Sequence, residues 1–82
     1  MTRLAEPKLS GMTAALVQKL RANGWRFEFR RGELELRVHC IATLGDMSFA
    51  GAGLIDLDDP TFDRAAWDAL DVVLCKIKEA HK

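Results

Sequence analysis

The sequence predicts an α+β fold, a three-stranded antiparallel sheet with two helices packed on its one apolar face, in the order α-β-β-β-α. Three observations carry that prediction. Trp25, Phe27 and Phe29 alternate with Arg26, Glu28 and Arg30, and Leu34, Leu36, Val38 and Cys40 alternate with Glu33, Glu35, Arg37 and His39; apolar residues at every second position are the pattern of half-buried strands. Two other stretches, one near each end, repeat apolar residues at three- and four-residue spacing, as a helix with one buried face does. Between them, Met47 and Phe49 alternate with Ser48 and Ala50 and open a third strand.

Residues 1–9 read as a polar tail interrupted by Pro7. Ser10 is placed to cap a helix over 11–22, in which Met12, Leu16 and Leu20 recur with Val17 beside them, and Asn23-Gly24 stops it. Gly24 leads straight into Trp25 and the hairpin, whose reversal falls at Arg31-Gly32. A two-residue loop there sets Glu28 opposite Glu35 and Arg26 opposite Arg37, like charges face to face. A four-residue loop over 31–34 instead pairs Arg30 with Glu35, Glu28 with Arg37 and Phe29 with Leu36, and is the favoured register. The two differ by an even step, so either keeps the apolar faces together. Gly45-Asp46 turns the chain into the third strand, 47–55, where Gly51 and Gly53 predict a bent strand pressed under a helix. Asp58-Asp59-Pro60 opens the last helix, which runs to about Glu79 with Phe62, Ala66, Leu70, Val73 and Ile77 as its buried stripe, widened by Trp67, Ala69 and Leu74. Asp63 near its start and Lys76, Lys78, His81 and Lys82 near its end suit the helix dipole.

Eighty-two residues make one domain over 10–82, and the composition, 49% hydrophobic and 29% charged, excludes whole-chain disorder. Net charge is zero but unevenly spread: residues 1–41 hold eight Lys/Arg against four Asp/Glu, and 42–82 hold four against eight. No apolar run has signal-peptide or membrane-span length, so a cytoplasmic protein without membrane contact is expected. Cys40 and Cys75 are too few for a disulfide framework and read as small core hydrophobes.

Little in the chain suggests chemistry. His39 and Cys40 are neighbours on a strand and point to opposite faces, which removes the core of any zinc set with Cys75 and His81. The acidic group Asp56, Asp58, Asp59 and Asp63 does not make a calcium loop, since the sixth and twelfth positions from Asp56 are Thr61 and Trp67 rather than Gly and Glu. GAGLID lacks the third glycine of a dinucleotide fingerprint. Ser10, Thr13, Ser48, Cys40 and Cys75 sit in no nucleophile motif. No cofactor, no metal and no enzymatic activity are expected.

What remains is surface. The outer face of the sheet offers Arg26, Glu28, Arg30, Glu35, Arg37 and His39, Arg31 stands at the turn, and Asp56, Asp58, Asp59 and Asp63 form an acidic surface. The expectation is a small protein-binding module, an adaptor, regulator or inhibitor, acting through that face, through a sheet edge or through the acidic surface. A homodimer formed at an edge, or through apolar surface near Trp67 and Leu74, belongs to the same expectation. The alternative is a nucleic-acid-binding regulator using Lys19 and Arg21 of the first helix with Arg30-Arg31. The element order resembles that of the double-stranded-RNA-binding domain, but that family places lysines at the start of its last helix, where this chain has Asp56, Asp58, Asp59 and Asp63. Leu16 to Val38, LVQKLRANGWRFEFRRGELELRV, resembles the helix and hairpin of the TubC-type docking domains of multimodular synthetases. In those domains an exposed hairpin captures a partner's peptide, and the resemblance implies protein binding.

Overall fold

The computed structural model describes residues 2–32, 34, 36–59 and 62–80. It has the expected α+β architecture, with two helices and a three-stranded antiparallel sheet in the order α-β-β-β-α. A two-residue strand precedes them and makes the sheet four-stranded. In chain order the elements are β1 (Thr2–Arg3), α1 (Gly11–Ala22), β2 (Arg26–Arg31), β3 (Arg37–Leu44), β4 (Met47–Leu54) and α2 (Asp63–Ala80), and the sheet order is β1-β2-β3-β4 with every pair antiparallel.

The segment expected as a tail is tied down at three points. Thr2 pairs with Arg31 and Arg3 with Arg30, the Leu4 amide donates to the Phe29 carbonyl at 2.9 Å, and the Trp67 indole N–H donates to the Lys8 carbonyl at 2.8 Å. Pro7 between them is buried. Helix α1 then takes the predicted bounds. Ser10 stands at its N-cap with extended backbone, although its hydroxyl makes no capping bond. At the other end Gly24 has φ +99°, its amide donates to Arg21 O at 3.0 Å and the Trp25 amide donates to Leu20 O at 3.1 Å. This is a Schellman closure, which needs the left-handed residue that only glycine supplies cheaply. It aims Trp25 into the core, where it is 4% exposed. Met12, expected in the buried stripe, is 90% exposed; Val17 alone of α1 is buried, with Leu16 and Leu20 partly so.

The hairpin register differs from both expected ones. Phe29 pairs with Cys40 and Arg31 with Val38, so the loop runs from Gly32 through Leu36, and Leu34 and Leu36 project into solvent at 100% and 55% exposure. The shift from the favoured register is again an even step, which is why the apolar face survives it. Longer pairing is gained in exchange: β3 continues through Ile41, Ala42, Thr43 and Leu44, so that β2 finds partners along its whole length. The Glu28–Arg37 pair falls away, and Glu28 instead holds Arg30 two residues along its own strand.

Leu44 pairs with Met47 across Gly45-Asp46, with Gly45 at φ +57° in the first loop position, where a two-residue type II′ reversal wants glycine. On the inner face Phe27, Phe29 and Arg31 stand beside Ala42, Cys40 and Val38, which stand beside Phe49, Gly51 and Gly53. Helix α2 lies on β4 and β3 and buries Ala65, Ala66, Ala69, Leu70, Val73, Leu74 and Ile77. The glycines let it come close: a methyl group on Gly51 would meet Ala69 O at 2.6 Å, and one on Gly53 would meet Ala65 O at 2.0 Å. The predicted strand pressed under a helix is therefore found.

Helix α2 begins at Asp63, later than Asp58-Asp59-Pro60 suggested; Pro60, with Glu33, Glu35, His81 and Lys82, lies outside the described residues. Asp56 accepts the Asp58 amide at 2.9 Å in a tight local turn, and Asp59 accepts the Arg64 amide at 3.2 Å from five residues away. The start signal is thus met by Asp59 acting across the intervening residues. Leu74, expected to leave apolar surface, is buried, and Trp67 is half-buried.

Candidate functional site

With both helices on the inner face, no described element covers the other. Arg3, Arg26, Glu28, Arg30, Arg37 and His39 share that outer face with Ile41, Thr43, Ser48, Ala50, Ala52 and Leu54. Its charge is lopsided: four arginines against one glutamate among the described residues. The two Arg30 hydrogen bonds to Glu28, each 2.9 Å, hold one guanidinium flat along the strand. Arg26 and Arg37 are exposed at opposite ends of the face, and Ile41 and Thr43 lie half-buried between them. Toward β4 the side chains shrink to Ser48, Ala50 and Ala52, so one half of the face is basic and the other is smooth.

The structure brings Arg26, Glu28, Arg30, Arg37 and His39 together as expected, and separates them from the remaining candidates. Glu35 lies outside the described residues. Arg31 points to the inner side, with its guanidinium 4.6 Å from the centre of the Phe62 ring. Arg21 pairs with Glu6 and lies 5.8 Å from the centre of the Phe27 ring. Asp56, Asp58, Asp59 and Asp63 sit at the entrance to α2, where Asp56 and Asp59 accept backbone amides and Asp56 lies 3.9 Å from Arg64. Asp56 and Asp59 thus shape the start of α2.

Cys40 is fully buried in the core, and burial alone pushes its thiol up to about 12, so it stays protonated at neutral pH. His39 faces the other way, as the strand period requires. No cluster of three or more His, Cys, Asp or Glu among the described residues could hold a metal ion, and no helix there is long and apolar enough to cross a membrane. An open groove of about 260 Å³ separates α1 from α2, floored by Leu16, Leu20, Leu74 and Ile77 and rimmed by Lys19 and Lys78.

Two features went unseen in the sequence. One is the size gradient across the outer face, which only the β3–β4 register reveals. The other is a lysine on the free edge of β4, where Lys76 Nζ donates to the Ala50 carbonyl at 2.6 Å. A lysine within reach of an edge carbonyl leaves no local pattern in the chain. Comparison of the chain with protein-family models, curated proteins and solved structures finds no match.

Proposed function

We propose that this chain is a non-enzymatic protein-binding module, an adaptor, regulator or inhibitor, whose outer sheet face engages an acidic surface of a partner protein. The observation that carries the reading is the make-up of that face: uncovered by any described element, four arginines to one described glutamate, with Ile41 at its middle and Thr43 opposite Arg26. One-sided exposure is ordinary for an antiparallel sheet, so the weight falls on the uneven charge. Arginine is also the cation best suited to paired contacts with carboxylates and to interface burial.

Nucleic acid fits the same charge less well. All six aromatic residues are turned to the core or the helices, so the outer face offers no ring on which a base could stack. The cations of the alternative are dispersed as well, with Arg31 on the inner side and Arg21 engaged by Glu6.

Capture of partners from a nuclease-treated lysate of the source organism tests the proposal, using the wild type and the Arg26→Glu/Arg37→Glu double variant. Retention of a protein that survives nuclease and falls about tenfold or more on reversal supports it. Retention indifferent to the reversal, or only of nuclease-sensitive material, overturns it.

A further inference from the structure

The free edge of β4 and the helix above it carry a self-complementary pattern. Odd-numbered residues of β4 turn their backbone groups toward β3, since the Ile55 amide continues the ladder to Leu36 O at 2.9 Å and Leu44 and Met47 close a two-residue hairpin. Ser48, Ala50, Ala52 and Leu54 therefore present theirs to the open edge, as the bond from Lys76 to the Ala50 carbonyl confirms. Their side chains are small or, in Leu54, apolar and 69% exposed, so no charge obstructs a strand laid alongside. Helix α2 runs antiparallel to β4. Asp68 lies over Gly53, Val72 over Gly51 and Lys76 beside Ala50, all three exposed and spaced four residues apart.

We infer that β4 pairs with β4 of a second copy of this chain about a two-fold axis at Gly51, with Asp68 of each copy meeting Lys76 of the other. In that register the backbone groups of Ala50 face those of Ala52 across the axis, and those of Ser48 face those of Leu54. The partner's Ala52 amide takes the Ala50 carbonyl, which frees Lys76 to reach the partner's Asp68. Val72 meets its own copy at the centre, shielding the crossed ion pairs, and the two sheets join as one. A two-fold interface requires a patch that complements itself when reversed, and the order acid, apolar, base along α2 does so. A heterologous partner would need no such symmetry. This surface is distinct from the arginine-bearing half of the outer face, which stays open in the dimer.

Sedimentation of the full chain over a range of concentrations tests the inference, with unfolding curves confirming that each variant folds. The wild type should dimerise. Asp68→Lys and Lys76→Asp should each weaken the dimer by about tenfold or more, since like charges then meet twice across the axis. An equimolar mixture of the two variants should restore it as a heterodimer. Ala52→Pro should abolish it, because it removes an edge-facing amide while leaving the internal ladder intact. A wild type that stays monomeric throughout, or a dimer indifferent to Asp68, Lys76 and Ala52, overturns the inference.

Discussion

Gly53→Ala is expected to destabilise the protein by about 3 kcal/mol, the upper end of what overpacking a tight contact costs, and to lower Tm by about 15 °C. The new methyl group would lie 2.0 Å from the Ala65 carbonyl oxygen, which belongs to the backbone of α2 and cannot swing aside as a side chain could. Relief requires lifting the first turns of α2 off β4, which opens the packing of Ala65, Ala66 and Ala69. Gly51→Ala meets a carbonyl at 2.6 Å and the flexible Val72 side chain, so its loss should be smaller. Urea unfolding of the two variants checks the order. A Gly53→Ala protein as stable as wild type would mean that α2 does not sit directly on β4.

Phe29→Ala should cost about 4 kcal/mol, whereas Leu36→Ala should cost less than about 0.5 kcal/mol. Phe29 is 3% exposed at the centre of the inner face, and truncating it leaves a cavity between β2, β3 and the helices. Leu36 lies beyond the last β2–β3 pair and is 55% exposed. The contrast discriminates between registers, because the expected four-residue loop would have set these two side chains opposite each other on the buried face. Comparable losses for both, measured by denaturant unfolding, would restore that shorter loop.

The elements were legible because each depends on local pattern. Helix α1 follows from Ser10, its apolar spacing and Gly24, and the inner face of the sheet from strict alternation through Phe27, Phe29, Val38 and Cys40. What local pattern could not supply was anything decided between elements. Alternation continues through Leu34 and Leu36, yet the β2–β3 register is fixed by how much of β3 can pair, and the better solution leaves both beyond the last β2–β3 pair. Met12 has the right spacing to be core, yet it is exposed on the rim of an open groove between α1 and α2. Thr2, Arg3 and Lys8 are held by Arg31, Arg30 and Trp67, residues distant in the chain. The candidate site divides in the same way. Arg26, Glu28, Arg30, Arg37 and His39 share a face by parity alone, whereas the engagement of Arg31 by Phe62 and of Asp59 by the α2 backbone needed the fold.

Site-specific photocrosslinking tests the assignment of the binding surface most directly. A photoreactive amino acid replaces Thr43, opposite Arg26 on the outer face, in one protein and Met12 at the α1–α2 groove in another, each expressed in the source organism. Adducts to a discrete protein are expected from position 43 and none from position 12. Protein adducts from position 12 alone, or nucleic-acid adducts from position 43, would contradict that assignment.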